Sequence, residues 1–152
     1  MSAEQNRRSG IIRRRTDGTG QPAVPVMAVI FVDPDIESAR RMAQPLRDHC
    51  ALAIVGTARE AMEAMRVRIP TMVVTELDLP DANGAQWIAM LHATPATHDV
   101  LLMVVTWRSA IRDKIAAFQA GADDFLVKPV EAEAFATHFS LLSRFRQVIT
   151  VR

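Results

Sequence analysis

The chain has 152 residues, 49% of them hydrophobic, enough for one domain with a buried core. Its formal charge of +1 hides an asymmetry, because residues 1–26 carry five arginines (Arg7, Arg8, Arg13, Arg14, Arg15) against Glu4 and Asp17, while the remainder is slightly acidic. No apolar run approaches the ~18–20 residues of a membrane span, the start lacks the apolar core of a secretory signal, and the single cysteine, Cys50, excludes an internal disulfide and fits a reducing cytoplasm.

Residues 1–26 are polar, broken by Gly10, Gly18, Gly20, Pro22 and Pro25, and show no periodicity. They read as a flexible tail. Its arginines suit the phosphates of nucleic acid or anionic lipid, but a solvated extension is the simpler expectation; translation starting at Met27 is another. Met27–Val32 is apolar on both faces and reads as a buried parallel strand. Asp33-Pro34 follows, with Asp33 as N-cap and Pro34 at the first helical position. The helix is expected to run to about residue 48, with Ile36, Ala39, Met42 or Ala43, and Leu46 inward, and with Pro45 bending it.

A second strand is predicted over 51–55. Thr57 and Glu60 form a capping box that opens a helix through about residue 68, with Ala61, Met62 and Met65 inward. The third strand is the run Met72-Val73-Val74, which stops at Thr75-Glu76. Open α/β sheets bind ligands just beyond the carboxyl ends of their strands, so Glu76 stands where chemistry is expected. After Leu77-Asp78-Leu79-Pro80 and the turn at Asn83-Gly84, residues 85–93 read as a helix with Trp87, Ile88 and Leu91 as its apolar content.

Val100–Val105 is a fourth strand, ending on Thr106. Trp107 follows, either packing over the mouth of a pocket or lying half-buried at the surface. Ser109 is expected to cap a helix to about residue 120, with Ile111, Ile115 and Phe118 inward. Gly121-Ala-Asp-Asp-Phe-Leu-Val-Lys-Pro129 contains a fifth strand ending on Lys128, one of two lysines in the chain. Residues 131–148 form the last helix. Phe135, Phe139 and Leu142 make one apolar stripe; Leu141, Phe145 and Val148 make a second, offset one. Five alternating strand–helix pairs predict an α/β fold, a flavodoxin-like (βα)5 doubly wound parallel sheet in order 2-1-3-4-5.

The segment from Glu76 through Pro80 to Gly84, with Asp33, Thr106 and the Gly-Ala-Asp-Asp…Lys-Pro run, resembles the receiver domains of bacterial two-component response regulators. The resemblance covers residues 27–148 and implies a receiver domain over 27–152, without an effector domain. In that family the position of Glu76 is an aspartate that accepts phosphate, with proline four residues later and glycine eight later. The hydroxyl at Thr106 and the lysine at Lys128 belong to the phosphate pocket, Thr106 and Phe125 to the switch. The peptide after the lysine is typically cis, which proline makes inexpensive. Receivers also carry two adjacent acids that hold magnesium; here Asp33 matches the first and Pro34 replaces the second. Asp35, one residue late, and Asp78, two residues beyond the acceptor, are weak substitutes; Asp33 as a helix cap alone is the competing reading.

The departures point one way. The extra methylene of Glu76 displaces its oxygen by ~1.5 Å, one carbon–carbon bond, and a misplacement of about 1 Å can cost on the order of 100-fold in rate. The resemblance therefore implies a stand-alone, atypical receiver, not an enzyme, that acts through protein contacts without phosphorylation and binds magnesium weakly or not at all. A conventional phosphorelay receiver using a pocket carboxylate, and a nucleic-acid-associated protein using the arginine tail, are the alternatives. Expected partners are a histidine kinase or another signalling protein, with a homodimer through the fourth helix, fifth strand and fifth helix centred on Leu141, Phe145 and Val148. No membrane is expected, and nucleic acid is the weakest of these partners.

Overall fold

The computed structural model describes residues 27–150, and side chains only as far as residue 144. Five strands alternate with five helices: β1 (Met27–Val32), α1 (Ile36–Ala43), β2 (Cys50–Val55), α2 (Ala58–Val67), β3 (Met72–Thr75), α3 (Gly84–Ala93), β4 (Leu101–Thr106), α4 (Ile111–Ala120), β5 (Asp124–Val127) and α5 (Ala132–Thr150). All strand pairs are parallel, in the order β2-β1-β3-β4-β5. This is the doubly wound, flavodoxin-like sheet predicted from the alternation of strands and helices.

Both sheet faces are covered, which is why the central strands are apolar throughout. Val29, Phe31, Met72, Val74, Met103 and Val105 pack with Ala39 and Met42 of α1 and with Phe135 and Phe139 of α5. Ile30, Val73, Leu102 and Val104 face α2, α3 and α4, where Ala61, Met65, Trp87, Ile88, Leu91 and Ala117 complete the second layer. Phe135 lies 5.6 Å from Phe31 and 6.1 Å from Phe139, ring centre to ring centre, so this stripe docks α5.

Several local expectations are corrected. Asp33 does not cap α1; Asp35 does, accepting from the Ser38 N–H at 3.1 Å, and the helix starts two residues later than Pro34. The helix ends at Ala43, and Pro45 sits in a short 3₁₀ turn, Gln44–Leu46, where its missing N–H breaks no α-helical bond. In α2 the Thr57 hydroxyl accepts from the Glu60 N–H and donates to the Glu60 carboxylate, at 3.1 and 3.0 Å; Met62, expected inward, is 38% exposed. The N-cap of α4 is Ala110, with no side-chain bond, in place of Ser109. Ile111, Ile115 and Phe118, also expected inward, are exposed, and Ala117 is the buried residue of that helix.

Candidate functional site

Three charged side chains meet at the carboxyl end of the sheet, and a hydroxyl ends the strand beside them. Asp33 follows β1, Glu76 follows β3, Thr106 ends β4 and Lys128 follows β5. The parallel ladder runs one residue past the strands: the Asp33 N–H donates to Val55 C=O, the Glu76 N–H to Val32 C=O and the Lys128 N–H to Thr106 C=O. That fixed backbone is what brings residues so distant in sequence to one point. All four are almost fully buried, at 4, 5, 0 and 6% exposure respectively, so each needs a partner.

Lys128 supplies it. Its Nζ donates to Asp33 Oδ2 at 2.6 Å and lies 3.1 Å from Glu76 Oε2. Burial disfavours the ammonium, but the hydrogen bonds and charges of Asp33 and Glu76 outweigh it and hold Lys128 above its ordinary pKa. The remaining carboxylate oxygens turn to backbone. Glu76 Oε1 accepts from the N–H groups of Leu77 and Asp78, at 2.7 and 3.3 Å. Asp33 Oδ1 accepts from the Asp35 N–H at 2.9 Å. The Thr106 hydroxyl accepts from the Arg108 N–H at 3.2 Å. The Lys128–Pro129 peptide is cis.

The loop after Glu76 is held by two further aspartates. Asp78 takes a forked set of bonds from Arg108: Nε at 2.9 and 3.0 Å to its two oxygens, and Nη2 at 2.6 Å to one of them. Arg108 Nη1 also reaches Asp113 in the first turn of α4, at 3.5 Å. The Arg108 hydrogen bond keeps the Asp78 carboxyl below the usual carboxylate range, and Asp78 in turn raises Arg108. Asp81 accepts from the N–H groups of Arg59 and Ala58 at the start of α2, at 2.9 and 3.0 Å, which lowers its own pKa. Gly84 closes the loop, its N–H on Leu77 C=O; a Cβ there would come within 2.4 Å of Leu77 Cα. Beside the loop a cleft of about 560 Å³ is lined by Leu77, Asp78, Pro80 and Arg108, among others.

Asp33, Glu76 and Lys128 thus come together, Thr106 ends the strand next to β5 with its hydroxyl on the Arg108 N–H, and Asp35 and Asp78 are engaged elsewhere: the first holds the α1 cap, the second Arg108. Among the described residues no group of three or more His, Cys, Asp or Glu side chains is placed to hold a metal ion. Trp107 is 63% exposed, a surface aromatic. Phe125 is buried, 6.4 Å from Phe118, ring centre to ring centre. Leu141 is 58% exposed, whereas the Phe145 and Val148 side chains lie outside the described residues, as does the 1–26 tail. Sequence reasoning missed Arg108 and Asp81. Their partners lie 30 and 22–23 residues away, and no local motif announces such pairs.

Known proteins carry the same architecture. A family model described as the response regulator receiver domain matches residues 29–140. Regulatory protein LuxO of Vibrio vulnificus is 40% identical over 81 residues, covering 53% of this chain and 17% of LuxO. Transcriptional regulatory protein PrrA of Mycobacterium bovis is 34% identical over 120 residues, 76% of this chain and 50% of PrrA. The chain therefore spans half or less of the length of these relatives. The chemotaxis response regulator CheY4 of Vibrio cholerae superposes with a TM-score of 0.72 at 17% identity, over 78% of this chain and 99% of CheY4, a likeness of fold. A parallel sheet in this order, with an acid, a hydroxyl and a lysine at its carboxyl end and a receiver model matched across most of its length, places the chain in the response regulator receiver domain family.

Proposed function

We propose that this receiver signals in the two-component manner through protein–protein contacts, without phosphoryl transfer to its acceptor position. The observation that carries the reading is the Lys128 ammonium set between Asp33 and Glu76. Glu76 occupies the position that the family resemblance assigns to an aspartate acceptor. Its two oxygens are engaged by Lys128 and by backbone N–H groups. An ion pair at 4 Å is worth about 4 kcal/mol at an effective dielectric of 20, before desolvation. That is of the size that biases a two-state loop.

The residues do not fit a magnesium ion. Magnesium prefers a near-octahedral oxygen set and two or more available carboxylates or phosphates. Here the ammonium stands between the carboxylates, Pro34 offers no side-chain donor, and Asp35 and Asp78 are engaged elsewhere. Calorimetric titration with magnesium is expected to show no saturation below millimolar metal. Tight saturable binding would show that Lys128 is displaced and that Asp35 or Asp78 moves into the site, and would contradict the reading.

Among the described residues no helix is long and apolar enough to cross a membrane. We place the chain in the cytoplasm, with a histidine kinase or another signalling protein as partner. A homodimer through the α4–β5–α5 face, using Leu141 with Phe145 and Val148, is the companion proposal. The conventional alternative, a phosphorelay receiver with a glutamate acceptor, is separated from this reading by the intact mass of the protein after incubation with acetyl phosphate and magnesium.

A further inference from the structure

Strand β2 forms one edge of the sheet and pairs with β1 alone; among the described residues no strand lies on its other side. Every residue of β3 and β4 is buried, yet none of the six in β2 is. Its sequence, Cys-Ala-Leu-Ala-Ile-Val, holds no charge, proline or glycine. Its register with β1 runs without a bulge from Met27↔Cys50 to Val32↔Val55. Open edges are normally blunted by charges, proline, bulges or shortness, because an unguarded edge is a template for further pairing. The opposite edge, β5, is guarded in this way. It has four residues, opens on Asp124 with His138 at 2.8 Å, and runs into Lys128-Pro129.

The ladder fixes which backbone groups of β2 face outward. The Asp33 N–H donates to Val55 C=O, so Val55 turns both its backbone groups to β1. The direction alternates along a strand, so Ala51 and Ala53 do the same, while Cys50, Leu52 and Ile54 point theirs away from the sheet. The side chains of these last three share one face and pack on the layer that holds α1. The outward set is symmetric about Leu52. A two-fold axis through Leu52 sets it against itself in antiparallel register: Cys50 opposite Ile54, Leu52 opposite Leu52, Ile54 opposite Cys50. Each is a hydrogen-bonded pair that exchanges both its bonds, so the pairing engages every outward N–H and C=O of the two strands.

We propose that the β2 edge pairs with the β2 edge of a second copy of this chain, joining two five-stranded sheets into one continuous sheet. The partner is a second copy because the same segment supplies both halves of the match. A two-fold contact sets like residues against like, and a strand without charge tolerates that. Beyond the strand the axis brings Arg47 and Asp48 of one copy to the start of α2 in the other, where Arg59 and Glu60 are exposed. Each side carries one base and one acid, so charge does not oppose the approach. The edge lies across the sheet from β5. The inference is therefore independent of the α4–β5–α5 proposal, and it stands whether or not Glu76 accepts a phosphoryl group.

Residue-resolved amide exchange of the full chain, at about 10 μM and about 1 mM, tests the pairing. The N–H groups of Leu52 and Ile54 should exchange at least about threefold more slowly at the higher concentration. Those of Ala53 and Val55, bonded to β1, should be slow at both. Fast exchange of Leu52 and Ile54 at both concentrations would overturn the proposal; a dimer through α4–β5–α5 alone gives that result. Slow exchange at both, with light scattering that shows a monomer, would also overturn it, because the edge would then be covered within one chain. Ile54→Cys gives a second arm. Opposed residues of a hydrogen-bonded pair have Cα atoms about 5.5 Å apart, within disulfide reach. Mild oxidation should therefore join Cys50 of one copy to the new thiol of the other. Within one strand the two positions lie about 13 Å apart, too far for an internal bridge. Wild type, whose Cys50 faces Ile54, should stay unlinked, and adding Cys50→Ser should abolish the bond. No covalent dimer in a variant with wild-type circular dichroism, or one that wild type forms equally, would overturn the proposal.

Discussion

Among single residues, the pocket is a charge triad of Lys128, Asp33 and Glu76. Lys128 is 4% exposed at its side chain and faces two carboxylates that are nearly as buried. Removing one partner of such a group leaves uncompensated charge in the interior, which costs roughly 3–5 kcal/mol. Lys128→Met is therefore expected to lower stability by that order in urea unfolding; a change under about 1 kcal/mol would show that the carboxylates rearrange to water. The same variant carries a pH signature. The folded pKa of Lys128 is raised, so its contribution is complete below the ordinary lysine value and is lost as pH rises through the higher folded value. Between neutrality and about pH 10 the gap between wild type and variant should stay flat on the Lys128 side. Asp78 behaves oppositely: its lowered pKa keeps the Arg108 clasp charged until the pH falls below the ordinary carboxylate range. Both clasp partners are about half exposed, at 48 and 54%, so solvent screening keeps that contribution small.

At the scale of elements, the loop between β3 and α3 owes its shape to Gly84. Its backbone runs so close to Leu77 that a methyl group would meet Leu77 Cα at 2.4 Å and its carbonyl oxygen at 2.6 Å. Neither atom is the end of a flexible side chain. Gly84→Ala should therefore cost about 1–3 kcal/mol as an overpacking substitution, and hydrogen exchange should quicken over residues 77–83. An unchanged unfolding midpoint would mean that the loop tolerates displacement. The elements also show what could be read in advance. The strands were legible because parallel strands buried on both faces leave unbroken apolar runs. The positions of Glu76 and Lys128 followed from where those runs stop. The direction of α4 was not legible, because a period of 3.6 says that Ile111, Ile115 and Phe118 share a face, not which face meets the sheet. Alanine decided it: Ala117 and Ala120 let α4 pack closely, and the larger residues turn outward. Asp33 misled for a related reason. An Asp-Pro pair is a sound helix start, but Lys128, far away in sequence, holds Asp33, and Asp35 inherits the cap.

At the scale of the whole molecule, the sheet order and the two apolar layers account for the described residues without the first 26. A chain shortened to begin at Met27 is expected to keep its thermal midpoint within a few degrees of the full chain; a large drop would show that the arginine-rich segment packs on the domain. The triad, the loop clasped by Arg108 and Asp81, and the start of α4 form one connected unit, joined through Arg108. On the proposed reading this unit does not depend on an acyl phosphate. Incubation with acetyl phosphate and magnesium, followed by intact-mass measurement, decides the matter. Unmodified protein is expected; a substantial species heavier by about 80 Da, the mass of one added phosphoryl group, that vanishes in Glu76→Gln would overturn the reading.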